Sequence, residues 1–346
     1  MLLVSTSGRR VTIHDVARNA GVSITTVSHA LKGKGVVAEA TRQRVVNAAA
    51  TLGYSADAIA RGLRSNRLGI LGLVIRPLDT LDSYLPVGVD YFVRFAGAAA
   101  VAALDRGFGL MLVRDPTTGT VPGIALAVDG FIISDPVGND PVIGLLKRNG
   151  IPLVTVGRDV ERPDFADWIG TGTVADAAEV FAHLLDRGAH RVALVSGTDT
   201  NAWNADSEIA YRSWCAGRGQ KAIVYRADER SGESGGRIVA EAMLDSGEPV
   251  PDGIYCLTGR HASGLQARLR ESGLAVPIDV MIVAGSDSEQ TRSSTPAITS
   301  VDLSPEATAT AAVNFLLCRL DGDMRSGPPS VTNVLRSRES TDRPGV

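Results

Sequence analysis

The sequence predicts two parts, a small all-α head at the N-terminus and a larger α/β body. Residues 1–70 hold ten Lys or Arg against three Asp or Glu, a net charge of +7 that leaves −10 for the rest of the 346 residues. Helical spacing and glycine turns dominate the head, whereas apolar runs of strand length alternate with longer helical stretches beyond Gly69. A basic head on an acidic body indicates that the head binds a polyanion while the body has another task.

The head begins with two short helices joined by a glycine turn. The first lies within TIHDVARNAG (12–21), with Thr12 as the predicted N-cap and Gly21 as the stop. Its apolar positions share one helix face: Ile13, Val16, Ala17 and Ala20. The second helix follows Ser23 as its cap, and its inward stripe is predicted at Val27, Ala30 and Leu31. This is the helix-turn-helix plan, in which the second helix lies in the major groove of DNA.

Short hydrogen-bonding side chains occupy the outward face of the second helix, which is predicted to consist of Ile24, Thr25, Ser28 and His29. Hydroxyls reach phosphates or bases, a Thr methyl group can meet a thymine methyl, and an imidazole nitrogen pairs with a purine acceptor. We therefore expect DNA contacts from the head residues Thr12, Ser23, Ile24, Thr25, Thr26, Ser28 and His29. The alternative is an amphipathic hairpin with a solvated polar face.

A third helix is predicted within EATRQRVVNAAATLGY (39–54), with Gly53 as its C-terminal stop. Its inward residues are predicted to be Val45, Val46, Ala49 and Leu52. The following segment SADAIARGLRSNR (55–67) is basic and too short to hold a helix by itself.

The body is predicted to contain parallel sheets covered by helices, with ligands bound at the carboxyl ends of the strands. The predicted strands are GILGLVI, GLMLV, GFIIS, IPLVTVG, RVALVSG, KAIVY, DGIYCL and DVMIVAG, and the predicted helices cover 96–106, 174–187, 234–246, 261–272 and 305–320. The chain has no P-loop spacing and no G-x-S-x-G motif, which disfavours an enzyme.

The cysteines and the N-terminus favour a soluble, unexported, cytoplasmic protein with neither a cofactor nor a metal. Cys215, Cys256 and Cys318 are far apart, odd in number and without nearby His ligands. The opening MLLVSTSGRR lacks the apolar core of a secretory signal, and no apolar run reaches the ~18 residues of a membrane span.

The stretch from VTIHDVARNAG to GILGLVI, about 65 residues, resembles the head of the lactose/galactose repressor (LacI/GalR) family nearly position by position. The resemblance implies that Ile24, Thr25 and His29 read bases. It also places ARGLR (60–64) on a hinge helix that folds on DNA and drives Leu63 into the minor groove, with Arg61 and Arg64 holding the backbone. Two residues depart from the family pattern: His29 stands where Arg is common, and Ala38 occupies a cap position that is usually Ser or Thr.

The body is similar to the effector domain of the same family, a periplasmic-binding-protein-like (type I) fold of two α/β subdomains. Matching segments include VDGFIIS, IPLVTVGRD, HLLDRGAHRVALVSG and PAITSVDLSPEATATAAVNFLL. The resemblance implies a flexible tail 1–10, a helix-turn-helix domain 11–55, a hinge 56–67, an effector-binding and dimerisation domain 68–340, and a tail 341–346. It divides that domain into 68–160 with 290–319 and 161–289 with 320–338.

The predicted cleft departs from the family pattern at several positions. Ser207 stands at an Arg position, Thr258 and Gly259 replace an Asn-Asp pair, and Gly157 precedes Arg158 where Asp is common, while Asp287 matches a ligand carboxylate. The candidate effector residues are Asp79, Tyr91, Ser134, Arg158, Trp203, Ser207 and Asp287. Open alternatives are a loop-closing role for Trp203, a subdomain bridge for Arg158 and a hinge hydrogen bond for Asp287, and His183, His190 and His261 are expected at surface or capping positions.

These features predict a homodimeric or tetrameric transcriptional repressor that binds a palindromic operator in double-stranded DNA. A small-molecule effector in the cleft, a sugar or another small polar metabolite, would control its affinity for the operator by linkage. The alternatives are a regulator whose cleft binds nothing, a solute-binding receptor, and an α/β enzyme. A receptor would need an export signal and no DNA-binding head, and an enzyme would need a nucleophile or a cofactor loop.

Overall fold

A computed structural model describes residues 11–32, 35, 37–54, 67–76, 90–119, 122–323, 327 and 329–343. The chain divides into two compact units, Met1–Gly69 and Ile70–Val346, close to the predicted end of the hinge. The predicted tail 1–10 and most of the hinge 56–67 lie outside the described residues. The same is true of four candidate site residues: Arg61, Leu63, Arg64 and Asp79.

The head contains the three predicted helices, α1 (Ile13–Ala20), α2 (Ile24–Lys32) and α3 (Glu39–Leu52). Gly21 ends α1 in the left-handed region (φ 65°), where a side chain would be strained, and its N–H donates to the carbonyl of Ala17. Ser23 caps α2, since its Oγ accepts the backbone N–H of Thr26 at 3.1 Å. Ala38 is the N-cap of α3 and has no side-chain oxygen to offer, as the sequence predicted.

The head is held together by a small core of valines and alanines from all three helices. Its buried members are Val16, Ala17, Val27, Ala30, Val45, Ala48 and Ala49. Two sequence predictions are wrong here, because Leu31 is 36% exposed and Val46 is 43% exposed. Leu31 and Val46 each come directly after a buried residue. Since successive side chains on a helix are about 100° apart around its axis, both point away from the core. Ala48 takes the core position that was assigned to Val46.

The body alternates strands and helices along the chain. Its first part contains β1 (Ile70–Ile75), α4 (Asp90–Asp105), β2 (Gly109–Leu112), β3 (Gly130–Ser134), α5 (Pro141–Arg148), β4 (Leu153–Val156) and β5 (Trp168–Ile169). Its second part contains α6 (Thr173–Asp186), β6 (Val192–Ser196), α7 (Ala202–Gly217), β7 (Val224–Arg226), α8 (Gly232–Leu244), β8 (Gly253–Cys256), α9 (Gly259–Glu271), β9 (Met281–Ala284), α10 (Glu289–Ser293), β10 (Thr299–Asp302), α11 (Pro305–Leu320) and β11 (Val334–Arg336).

All eight predicted strands and all five predicted body helices occur, although α4 begins at Asp90 rather than at residue 96. The structure adds elements that were not predicted from the sequence: α5, α7, α10, β5, β10 and β11.

Two sheets form the two halves of the body. The first has the strand order β2-β1-β3-β4-β5, all parallel, and α4 and α11 pack on one of its faces. The second has the order β11-β10-β9-β8-β6-β7 and is parallel except for the edge strand β11. Central strands such as β3 and β9 are buried throughout, which explains their continuous apolar sequences.

The chain passes between the two sheets three times, and two crossings lie elsewhere than predicted. Strand β5 pairs with β4, so the first half extends to Ile169 instead of ending at residue 160. Strand β10 pairs with β9, so the second half extends to Asp302, and only α11 returns to the first half. The division at 160/161 and the assignment of 290–304 to the first half are therefore corrected. Both errors concern short strands whose sheet membership depends on their hydrogen-bonded neighbours.

Candidate nucleic-acid interface and effector cleft

Helix α2 presents a polar and partly apolar face to solvent. Ile24 is 41% exposed, Thr25 and His29 are exposed, and Ser28 is half-buried. An exposed isoleucine beside a threonine offers methyl groups for thymine, and the imidazole offers a hydrogen bond to a base edge. The arrangement matches the side-chain chemistry of a helix that enters the major groove.

The remaining hydroxyls of the predicted DNA-binding set make hydrogen bonds at the helix starts. The Thr12 hydroxyl and backbone N–H donate to Asp15 Oδ2 at 2.7 and 2.9 Å. Ser23 Oγ and Thr26 Oγ1 lie 2.8 Å apart and share a hydrogen bond. Thr12, Ser23 and Thr26 therefore fix the starts of α1 and α2, the helix ends that carry partial positive charge and favour phosphate.

Two contacts position the C-terminal end of α2. Arg42 in α3 donates from Nη1 to the carbonyl of Ala30 at 2.9 Å, which satisfies an acceptor in the last turn of α2. Gly35 lies against His29, because a Cβ built on Gly35 would come 2.8 Å from His29 Nδ1. A larger residue at 35 would displace the imidazole.

The cleft of the body lies at the carboxyl ends of strands from both sheets. It contains a cavity of about 140 Å³, and lining residues follow β3 (Asp135), β6 (Asp199), β8 (Thr258) and β9 (Asp287). Its aromatic wall is formed by Tyr91, Phe92 and Trp203. The position agrees with the rule that open α/β sheets bind ligands in the crevice beyond their strand ends.

Asp287 lines the cavity and is saturated with hydrogen bonds. Its Oδ1 accepts from Ser300 Oγ at 2.7 Å, Thr291 Oγ1 at 3.0 Å and Arg338 Nη2 at 2.9 Å. Its Oδ2 accepts from Arg292 Nη1 at 2.9 Å. Burial acts to raise the pKa of Asp287, but these hydrogen bonds and the charge of Arg338 outweigh it and lower the pKa.

Arg292 extends this network across the cleft. Its Nη2 donates to Asp90 Oδ2 at 2.5 Å, and Asp90 begins α4 of the first half. One guanidinium therefore joins carboxylates from both halves of the body, Asp287 on one side and Asp90 on the other.

Asp135 and Asp199 are carboxylates of a different kind. Ser134 Oγ donates to Asp135 Oδ2 at 3.0 Å, but among the described residues neither aspartate forms an ion pair. Burial raises the pKa of Asp135 to about 6, the hydrogen bond from Ser134 opposes this, and the charge of Asp199 adds to it. The pKa of Asp199 is raised by burial and by the charges of Glu229 and Asp228.

Glu229 lines the cavity and serves as an acceptor for the loop that follows β6. Its carboxylate accepts the backbone N–H groups of Thr198 and Asp199 at 3.1 and 3.2 Å and Asn204 Nδ2 at 2.7 Å. Arg260, also a lining residue, donates from Nη2 to the carbonyl of Glu229 at 2.8 Å.

Three of the predicted effector residues line this cavity: Tyr91, Trp203 and Asp287. Ser134 is fully buried behind Asp135, and Arg158 pairs with Asp206 of α7, a contact between the two halves. Ser207 is buried in α7, and its Oγ has no hydrogen-bond partner among the described residues. None of these three is among the described residues that line the cavity.

The histidines of the body have structural contacts. His183 Nε2 shares a hydrogen bond with Thr341 Oγ1 at 2.8 Å, the backbone N–H of His190 donates to Asp252, and His261 is buried in α9 beside the carbonyl of Asp228 at 3.1 Å.

Sequence reasoning missed Asp135, Asp199 and Glu229. Asp135 comes directly after a predicted strand in GFIISD, and Asp199 comes shortly after another in RVALVSGTD; polar residues after parallel strands meet at one sheet edge. That signal was present in the sequence. Glu229 lies in a 3-10 turn (Glu229–Ser231), and only the tertiary fold brings it to the loop after β6.

The described part of the chain offers neither a metal site nor a membrane-spanning helix. No group of three or more His, Cys, Asp or Glu there is arranged to hold a metal ion. No helix there is long and apolar enough to cross a bilayer.

Comparison with known proteins agrees with both parts of the chain. Residues 12–57 match the family "Bacterial regulatory proteins, lacI family", and residues 181–341 match "Periplasmic binding protein-like domain". The HTH-type transcriptional repressor PurR of Erwinia tasmaniensis is 27% identical over 321 residues, which cover 89% of this chain and 90% of the relative. The chain belongs to the LacI/GalR family. PurR of Proteus mirabilis is 28% identical over 320 residues, with 89% and 90% covered.

Solved structures show the same fold as this LacI/GalR-family regulator. The lac repressor dimer bound to operator and the anti-inducer ONPF has a TM-score of 0.80 at 21% identity, with 96% of this chain and 99% of that chain covered. The complex of the transcriptional regulator CelR with cellobiose has a TM-score of 0.68 at 23% identity, with 96% and 100% covered. The predicted combination of a helix-turn-helix head with a type I α/β body is confirmed.

Proposed function

We propose that this LacI/GalR-family regulator is a homodimeric repressor that binds a palindromic operator and releases or retains it according to the effector in the body cleft. The observation that carries this function is that one chain combines the exposed polar face of α2 with a cavity between two sheets. Since its partner is chromosomal DNA, the protein acts in the cytoplasm. It binds its effector without turnover.

The head supplies both base and phosphate contacts. Thr25, Ser28 and His29 form hydrogen bonds with base edges, and Ile24 packs against a thymine methyl group. The helix starts held by Thr12, Ser23 and Thr26 bind backbone phosphate. In the segment outside the described residues, Leu63 wedges into a central base step while Arg61 and Arg64 hold the phosphates, as the family resemblance implies.

The body supplies the control. A ligand that contacts both halves binds the two subdomain arrangements with different affinities, and it changes operator affinity by that difference. Tyr91 and Trp203 provide the apolar wall of the site. Asp287 acts mainly through the arginines that it holds, because its oxygens are already occupied by protein donors.

Selection of binding sites from a random DNA library with the full-length protein tests the function. We expect an enriched palindromic motif and loss of that enrichment in Thr25→Ala/His29→Ala. Thr51→Ala is the matched control, because Thr51 is an exposed threonine of α3 whose hydroxyl donates only to the carbonyl of Asn47. A wild-type protein that enriches no motif would reject the function.

A further inference from the structure

The cavity carries negative charge that the described residues do not neutralise. Asp90 and Asp287 share Arg292, whereas no described Lys, Arg or His forms an ion pair with Asp135 or Asp199. Arg230 is the cation whose charge acts on Asp199, and its guanidinium pairs with Asp228 at 2.7 Å. Residues 77–89, outside the described ranges, contain no Lys, Arg or His.

The two carboxylates without an ion pair among the described residues come from opposite halves of the body. Asp135 directly follows β3 of the first sheet, and Asp199 follows β6 of the second. Asp199 is close enough to act electrostatically on Asp135, so two like charges face one cavity across the cleft. A positive group between them would turn this repulsion into two attractions.

The aromatic wall is an independent indication of the ligand. Tyr91 and Phe92 lie edge to face with ring centroids 5.2 Å apart, and Trp203 lines the same cavity from α7. Aromatic faces attract organic cations and pack against the apolar part of a ligand. An inorganic ion would leave this wall unused, and the described residues offer no cluster of metal ligands.

An anionic ligand fits the cavity less well. Arg260 is the single lining residue with a positive charge among those described, and its guanidinium already donates to the carbonyl of Glu229. An anion beside it would face the carboxylates of Asp135, Asp199 and Glu229 in the same space.

We propose that the cleft binds an organic cation, an amine with an apolar or aromatic portion, whose ammonium group lies between Asp135 and Asp199 and whose apolar portion packs against Trp203 and Tyr91. The proposal rests on the proposed function only in taking the cleft as the effector site. It assigns the recognition of charge to two residues that the family resemblance did not point to.

Isothermal titration calorimetry of the full-length protein with matched pairs of probes tests the proposal. The pairs are 2-phenylethylamine with 2-phenylethanol, tyramine with 4-(2-hydroxyethyl)phenol, and 1,5-diaminopentane with 1,5-pentanediol. Each pair has a similar shape and differs in charge. We expect at least one amine to bind more tightly than its alcohol by about tenfold or more near neutral pH. No preference for the amine in any pair would overturn the proposal.

Single carboxylate variants locate the charge. Asp135→Asn and Asp199→Asn should each weaken binding of that amine by about tenfold and change the affinity for the matched alcohol much less. Asp105→Asn is the control, because Asp105 is exposed at the end of α4 and its loss changes the net charge equally. Wild-type amine affinity in both cleft variants would overturn the assignment, provided that their thermal unfolding matches or exceeds that of the wild type.

The proposal of a cationic ligand and the proposal of a repressor can be refuted by different results. If cellobiose or adenine binds in the cleft and changes operator affinity while no amine binds, the proposal of a cationic ligand is rejected and the effector-controlled repressor stands. Failure of the wild type to select an operator would reject the repressor, whatever the cleft binds.

Discussion

Replacement of Asp287 tests whether this carboxylate serves the fold or the ligand. Asp287→Ala removes an acceptor for two hydroxyls and two guanidinium groups. Loss of one partner from a buried ion pair costs about 3–5 kcal/mol, but solvent reduces the cost at exposed groups. The Asp287 side chain is 10% exposed, whereas Arg338 is 19% and Arg292 45% exposed.

The remaining contacts set the expected size of the effect. Arg338 keeps hydrogen bonds to the carbonyl of Ile298 at 2.7 Å and to Ser300 Oγ at 2.5 Å, and Arg292 keeps Asp90. We therefore expect Asp287→Ala to lower the free energy of unfolding of the body by about 2–3 kcal/mol. Asp287→Asn retains one acceptor oxygen for the hydroxyls, and a loss of about 1–2 kcal/mol is expected.

Urea unfolding followed by tryptophan fluorescence measures the free energy of unfolding of the body, where Asp287 lies. All three tryptophans, Trp168, Trp203 and Trp214, lie in the body. The control is Asp342→Ala, whose 74% exposed carboxylate pairs with Arg187 at 2.8 Å and contributes about 0–1 kcal/mol. If Asp287→Ala unfolds like the wild type but loses its ligand response, the carboxylate serves the ligand, and our reasoning is wrong.

Four further predictions concern DNA contacts and pH. His29→Arg should alter base preference at one symmetric pair of operator positions in a site selection, because Arg chelates guanine O6 and N7; an unchanged motif would place His29 away from the bases. Leu63→Ala should weaken specific binding by about 1–3 kcal/mol per inserted leucine, and fluorescence anisotropy should show unchanged binding to random DNA with an unchanged salt slope. Equal loss of affinity for both DNAs, or a lower melting temperature with normal operator affinity, would show that Leu63 does not insert between base pairs. Amine affinity in calorimetry should fall as pH decreases through the pKa of Asp135, about 6, where Tyr91, Ser134 and Asp199 face it, and a flat profile would contradict its role. Ionisation of Asp135 opposes folding, so the contribution of Asp135 to the stability of the ligand-free protein should fall as pH rises from the ordinary aspartate pKa through about 6, and Asp135→Asn should have a higher melting temperature than the wild type near neutral pH; a lowered one would contradict the repulsion.

The sequence predicted most of the fold because its signals are local. Continuous apolar runs such as GFIIS become β3, which is buried along its whole length. The caps at Ser23 and Gly21 follow from one hydroxyl and one glycine at the right spacing. Strands β5 and β10 were missed because two to four residues, some of them polar, become strands only when a neighbour supplies the hydrogen bonds.

The cleft was harder to predict than the fold. The predicted residues Tyr91, Trp203 and Asp287 line the cavity, but the sequence cannot show that Asp287 is saturated by residues as distant as Arg338. Arg158 illustrates the same limit, since its partner Asp206 becomes a neighbour only through the meeting of the two halves. A residue type at a family position predicts where a side chain lies, whereas its free hydrogen-bonding capacity depends on tertiary contacts.

The two kinds of carboxylate in the cleft indicate which contacts can respond to a ligand. Asp90 and Asp287 are joined by Arg292, so their charges are already compensated by a cation of the protein. Asp135 and Asp199 repel each other, so an empty cleft favours the arrangement in which they are farther apart. A ligand shifts an equilibrium only by the difference between its interaction free energies with the two states. A cation gains Coulombic attraction from bringing the carboxylates together, and a neutral molecule of the same shape lacks that attraction. The charge of the effector, more than its size, then determines how strongly the cleft responds.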